Sequence, residues 1–266
     1  MVENSIVDSR KPNAGRISDY WLGGGHNFEV DRAAADRLAE MLPLVRKYAR
    51  LQRWSLRTIA EELTHKRGFD VVIDFASGLP NDDHIHHRVP SNTKVIYSDK
   101  DHVAVEYAQQ ILEVTSNAWI FKCDAGRPGE LLNNPEVQKI LDGRRKVAFV
   151  YWGVSTFLSD EAIKHAARTL YDWAAPGSCL AFNSQTFDPN HPSSKAVSEI
   201  YARMGAPTHP RMPEDYLGLL EPWQIEGDGF TLLMKWHGFE ESEFADDDNT
   251  VFGPSLGGHG AYFIKP

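Results

Sequence analysis

Three aspartates stand at matching points of the chain. Asp74 closes the apolar run Val71-Val72-Ile73, Asp99 closes Lys94 to Ser98, and Asp124 follows Trp119-Ile120-Phe121 after only Lys122 and Cys123. A lone aspartate after a strand is ordinarily a turn former or a helix cap. Three of them after successive runs of one texture call for a different account. An ionised carboxylate offers two oxygens and accepts only. Asp99 could therefore take both hydroxyls of a ribose, as acids at this point do in nucleotide-binding βαβ units. Asp124 could accept from an exocyclic purine amine. Lys100, Cys123 and Ala125 adjoin these two positions and belong to the same candidate binding set. Asp74 opens the turn Asp74-Phe75-Ala76-Ser77-Gly78-Leu79-Pro80 and could orient it or meet an ammonium group. Small residues at Ala76, Ser77 and Gly78 let backbone approach a ligand closely. A pyrophosphate-binding turn needs G-x-G-x-x-G. Here only Gly78 is present and Pro80 follows, which argues against NAD or FAD.

Other side chains carry weaker signals. His26, in a glycine-rich segment, is the candidate general base, since an imidazole can take a proton near neutral pH. His84, His86 and His87 follow Asp82 and Asp83 and are metal-type donors. Adjacent His86 and His87 do not easily face one point, so no metal site is expected. Trp21 and Tyr151 are candidates for an acceptor pocket, and with Trp152 could contact a cation through their ring faces; core packing is the commoner fate of such rings.

These residues need a scaffold, and the hydrophobic pattern supplies one. Val71–Ile73, Lys94–Ser98, Trp119–Phe121, Val147–Tyr151 and Ser178–Phe182 read as buried strands. Helical stretches lie between them at Val103–Leu112, Pro128–Leu141 and Asp160–Trp173. That alternation predicts a parallel sheet covered on both faces. Two helices precede it: Asp31–Leu42 with Asp31 as N-cap, and about Val45–His65 with Tyr48, Leu51, Leu56, Ile59 and Leu63 inward. After Phe182 the pattern weakens into helices at His191–Met204 and Pro213–Leu220. Late strands follow at Thr231–Trp236 and Gly260–Ile264. Asp246-Asp247-Asp248-Asn249 reads as a solvated loop tip.

The 266 residues carry a net charge of −9, and no long Lys/Arg run relieves it, which disfavours nucleic acid and anionic membrane surfaces as partners. Cys123 and Cys179 form no metal or redox motif and read as small buried hydrophobes. No apolar stretch is long enough to span a bilayer, and the polar Met1–Pro12 lacks a signal-peptide core, so a cytoplasmic location is expected.

One further observation narrows the class. Arg16-Ile17-Ser18-Asp19-Tyr20-Trp21-Leu22-Gly23-Gly24, Asn27-Phe28, Asp31 to Ala34, Asp74 to Pro80, Val95 to Asp101, Cys123-Asp124, Phe157 to Asp160 and Ala175 to Ser178 together resemble an S-adenosylmethionine-dependent methyltransferase family of actinobacterial type, long classed as a domain of unknown function. The resemblance covers about residues 5–185. It implies a Rossmann-like class I methyltransferase fold: a mostly parallel seven-stranded sheet with helices on both faces and an N-terminal helical cap. One domain over 1–266 is expected, with arm and cap at 1–67 and the core at 68–266. S-adenosyl-L-methionine would lie across the first strands and leave as S-adenosyl-L-homocysteine. Asp74, Ala76, Ser77, Gly78 and Leu79 would hold its amino-acid end, Asp99 its ribose and Asp124 its adenine. Tyr20 and the Gly23-Gly24 turn become cofactor or lid residues, and Trp152 and Gly153 lie near the methionine end. Two departures stand out. Ala76 replaces the family's usual Gly, and Gly25-His26 replaces a common Lys-Asp pair. The expected reaction is methyl transfer to a small, secondary-metabolic acceptor, with a homodimer left open. The rivals are a non-catalytic S-adenosylmethionine-binding regulator and an NAD-dependent reductase.

Overall fold

The protein is described by a computed structural model covering residues 10–80, 84–185, 192–238 and 258–266. The acidic run at Asp246–Asp248, the pair Asp82-Asp83 and the first nine residues of the arm lie outside these.

Helices α1 (Ala14–Trp21), α2 (Glu29–Met41) and α3 (Val45–Glu61) come first. The alternating region follows as β1 (Val71–Phe75), β2 (Lys94–Asp99), α4 (His102–Leu112), β3 (Ala118–Lys122), α5 (Pro128–Leu132), α6 (Pro135–Leu141), β4 (Ala148–Tyr151), α7 (Asp160–Trp173) and β5 (Cys179–Ser184). The chain then forms α8 (Pro192–Arg203), α9 (Asp215–Leu219), β6 (Gln224–Ile225), β7 (Thr231–Leu232) and β8 (His259–Ile264).

The sheet runs β3-β2-β1-β4-β5-β8-β6. The first five strands are parallel and β8 is antiparallel to β5. Seven strands were expected and eight are present among the described residues, because β6 and β7 are two-residue fragments that both pair with β8. Strand order reverses between β1 and β4, and ligands of open parallel sheets bind at such a switch point, beyond the carboxyl ends.

Side-chain alternation assigns the two faces. Val71, Ile73 and Phe75 pack with Phe149, Tyr151 and Phe182 under α5, α6 and α7. Val72, Val95, Tyr97 and Val150 pack with Leu51, Ile59 and Leu63 on the α3 side. By the same alternation Asp74 points to the α3 face, and this matters below. A third, smaller cluster joins Ile17, Ala35 and Leu38 of the cap to Val197 of α8. The cap is thus built from both ends of the chain, whereas an N-terminal cap alone was expected.

Several boundaries differ for local reasons. The expected helix Pro128–Leu141 breaks at Asn134-Pro135, where the Asn134 side chain caps Glu136 and Pro135 supplies the N–H-free first position. The third helix ends in a π-helical turn at Glu62–Lys66. Asp31 is not the N-cap of α2 but its third residue, where its carboxylate accepts from Phe28 N–H at 2.8 Å. The strand expected at Thr231–Trp236 shortens to two residues before a 3-10 turn at Trp236–Gly238.

Candidate active site

A cavity of about 570 Å³ opens at the carboxyl ends of β1 to β4, beneath α1, α3 and α8. That volume lies within the usual range for small-molecule sites. Among the expected site residues it is lined by Trp21, His26, Ala76, Ser77, Gly78, Leu79, Asp99, Lys100, Asp124, Ala125, Trp152 and Gly153.

The turn after β1 is held from below. Ser77 N–H donates to Ser98 C=O at 2.9 Å, and Gly78 N–H donates to Asp99 Oδ2 at 3.0 Å. The other Asp99 oxygen accepts from Asp101 N–H at 2.9 Å. Burial raises the Asp99 carboxyl above its usual value, and these two N–H groups oppose the rise. Each oxygen keeps a further lone pair for a ligand hydroxyl. Asp124 Oδ1 accepts from Gly126 N–H at 2.8 Å, which fixes its carboxylate at the cavity edge. Both Ala76 (φ 57°) and Gly78 (φ 67°) adopt the left-handed conformation. For Ala76 this is strained by about 1–2 kcal/mol, which explains why glycine suits that position.

Five expected residues stand away from the cavity wall. Asp74 is 2% exposed, behind the turn on the α3 side. Burial pushes its carboxyl up to about 8; Arg53 opposes that rise and Asp99 adds to it. Cys123 folds back toward Asp124 C=O and Arg127 C=O, and burial lifts its thiol to about 11. Tyr151 donates its hydroxyl to Ala125 C=O at 2.7 Å in the opposite core, so it braces the Asp124 turn from behind. Tyr20 turns outward between α1 and α2, 3.4 Å from Asp36. Gly23 terminates α1, its N–H bonded to Tyr20 C=O at 3.0 Å. His26 does line the cavity, but beside Tyr107 of α4, ring centroids 5.1 Å apart. It therefore stands on the β2 side with Lys100 and Asp101, away from Gly153 and the β4 side.

Two of the three clustered histidines have ring partners within the protein. Arg53 Nη1 lies 2.7 Å from His84 Nδ1, so Nδ1 is the acceptor and Nε2 carries the proton. Burial first, and Arg53 second, hold His84 well below its ordinary value. Tyr97 hydroxyl lies 3.0 Å from both His86 N–H and His86 Nδ1. Among the described residues no group of three potential ligands could hold a metal ion.

Sequence reasoning assigned no role to the side chains that hang the cap over this site. Buried Arg16 donates to Asp31 at 2.7 Å and to Lys11 C=O at 2.7 Å, and its Nη1 lies 3.8 Å from Asp101. Asp31 also accepts from Asn13 N–H at 2.8 Å. The Asp19 carboxylate accepts from His26 N–H and Asn27 Nδ2, both at 2.9 Å, and a Cβ at Gly24 would collide with it. From α3, Gln52 Nε2 donates to Tyr48 hydroxyl and to Asn183 Oδ1, both at 2.8 Å, and Asn183 Oδ1 accepts from Gly153 N–H at 3.2 Å. The visible signal was the run of polar residues inside the N-terminal segment; Asp19 meets partners seven and eight residues away, whereas Gln52 meets Asn183 from 131 residues away, a pairing no local pattern encodes.

The strand order, the strained turn after β1 and the acids after β2 and β3 define a Rossmann-like α/β protein for a nucleoside-type ligand without a pyrophosphate. Comparison with known proteins makes this specific. A family model described as S-adenosyl methyltransferase matches residues 2–258. A Thermobifida fusca YX protein assigned as a methyltransferase is 26% identical with a TM-score of 0.85, over 98% of this chain and 99% of that one. A DUF574 family protein from Streptomyces avermitilis MA-4680 shares the fold at 24% identity and a TM-score of 0.85, over 97% and 99%. The magnesium protoporphyrin IX methyltransferase of Synechocystis PCC 6803, solved with bound S-adenosylhomocysteine, shares it at 12% and 0.54, over 94% and 93%. No curated protein matches the chain. The chain belongs to the S-adenosyl methyltransferase family: it is an S-adenosylmethionine-dependent methyltransferase. Its donor set fits that cofactor. The acids after β2 and β3, with a close backbone turn after β1, suit an adenosyl sulfonium.

Proposed function

We propose that this methyltransferase acts on a small-molecule acceptor, in the cytoplasm, as a step of secondary metabolism. Asp99 takes the ribose hydroxyls and Asp124 the adenine amine. The turn from Ala76 to Leu79 approaches the amino-acid end, where Arg53 offers the cation for its carboxylate. Asp74 positions that turn from behind. When bound, the cofactor supplies an electrophilic methyl on a cationic sulfur. The protein's own part is to hold donor and acceptor in line and to keep water out, and positioning of this kind can lower a barrier by about 7–11 kcal/mol. No general base is assigned; His26 serves the ribose side and the closing cap.

The observation that carries the small-molecule reading is the cavity itself. It runs past the switch point between β1 and β4 into a second half beneath α3 and α8, roofed on both sides by helices. A macromolecular substrate needs an open face, whereas this space suits a molecule that is enclosed. The test is calorimetry with S-adenosylmethionine and S-adenosylhomocysteine, followed by transfer of labelled methyl to a small-molecule extract. Binding of both forms and label in the low-mass fraction are expected. Cofactor binding with label only in protein or nucleic acid would contradict the reading.

A further inference from the structure

The charges that line the cavity are unevenly placed. Arg16 and Asp19 belong to α1, Arg53 to the middle of α3, and Asp99, Lys100, Asp101 and Asp124 to the end of β2 and the turns after β2 and β3. Beyond the β1/β4 switch point the described wall changes character. There it includes Tyr48, Gln52, Phe157, Tyr201 and Met204. Phe157 packs edge-on against Tyr201 of α8, ring centroids 5.4 Å apart. Two polar atoms on this side, Gln185 Oε1 and Thr156 Oγ1, are buried without a hydrogen-bond partner, and both residues line the cavity. A buried polar group left unpaired is unfavourable, so a ligand group that pairs with it is favoured.

We propose that the acceptor is an uncharged aromatic molecule bearing a hydroxyl, seated between Tyr48 and Gln52 on one side and Phe157, Tyr201 and Met204 on the other. The inference rests on the small-molecule reading above. Flat apolar surface matches the ring and thioether wall. A carboxylate or phosphate carried into this half would lose its hydration with no cation among these five side chains to meet it. The hydroxyl has a partner in the Gln185 carbonyl or Thr156. In the reaction a lone pair of that oxygen forms the new O–C bond as the S–CH3 bond breaks. The bonding pair returns to sulfur as a neutral thioether, and the hydroxyl proton passes to solvent.

The test uses paired probes on the full chain saturated with S-adenosylhomocysteine: methyl caffeate against caffeic acid, and 1-naphthol against 1-naphthyl phosphate, each titrated by calorimetry. The neutral member of each pair is expected to bind at least tenfold more tightly. Met204→Lys should weaken the neutral probes at least tenfold while S-adenosylhomocysteine binds as before. Met204→Gln, uncharged and of similar size, should stay within threefold. Equal or tighter binding of the charged members, or no binding of either neutral probe to a complex that holds the cofactor product, overturns the inference alone. Failure to bind S-adenosylhomocysteine overturns the underlying reading and the inference with it.

Discussion

The sheet edge and the cap hold their charges in different ways. At the edge, Asp99 and Asp124 are fixed by N–H groups of their own or neighbouring turns, within hydrogen-bond reach of the strand that carries them. In the cap, Arg16 and Asp31 hold each other across two helices, with side-chain exposures of 6% and 0%. The edge therefore stays assembled whenever the sheet forms, and the cap stays closed while its buried ion pair and its apolar contact with α8 survive. A methyltransferase needs both: a rigid seat for the cofactor and a cover that forms over it.

The sharpest way to break this contrast is Asp31→Ala. It removes the closest carboxylate from the buried Arg16 cation and should lower unfolding free energy by about 3–5 kcal/mol in urea titration. The exposed pair Arg46–Asp36, equally short at 2.7 Å, provides the control. Asp36→Ala should change stability by no more than about 1 kcal/mol. Asp99→Ala attacks the edge instead. It should leave the fold in place and weaken S-adenosylhomocysteine about 10- to 100-fold, the value of one or two hydrogen bonds to a charged group. Unchanged affinity in calorimetry would refute the ribose assignment.

Asp74 sharpens the comparison through pH. Its carboxyl is raised to about 8 in the fold, against about 3.9 when unfolded. The native state therefore binds the proton more tightly. The stabilising contribution is complete below about pH 4 and is lost as pH rises through 8. Melting temperature of the ligand-free protein should fall between pH 6 and 9, and Asp74→Asn should flatten that slope. An equally steep slope in the variant would place the titration elsewhere. The smallest effect belongs to Ala76→Gly. Relief of the positive φ exceeds the added unfolded-state entropy, so a gain on the order of 0.5 kcal/mol is expected in the same urea titration.

The same contrast explains what could be read in advance. The five parallel strands were legible because each is a short apolar run, and parallel topology then brings their carboxyl ends to one edge. The turn from Ala76 to Gly78, Asp99 and Asp124 came together for that reason alone. Tyr151 and Cys123 sit at the same edge but point away from the cavity, a distinction set by side-chain direction that composition does not encode. The cap was legible only as helices. Arg53 meets His84 at a separation of 31 residues, and α8 joins α1 and α2 from the far end of the chain. No local pattern announces such pairs. His26 drew attention as an imidazole near glycines, and only the ring of Tyr107 reveals which side of the cavity it serves.

The central claim is that one cavity has a charged half for the cofactor and an uncharged half for the acceptor, divided at the β1/β4 switch point. A crystal structure of the complex with S-adenosylhomocysteine tests it directly. Both ribose hydroxyls are expected on the Asp99 carboxylate, the adenine beside Asp124, and the sulfur at Gly153 facing Tyr48 and Tyr201. A product lying in the opposite sense, with its adenosine between α3 and α8, would contradict it.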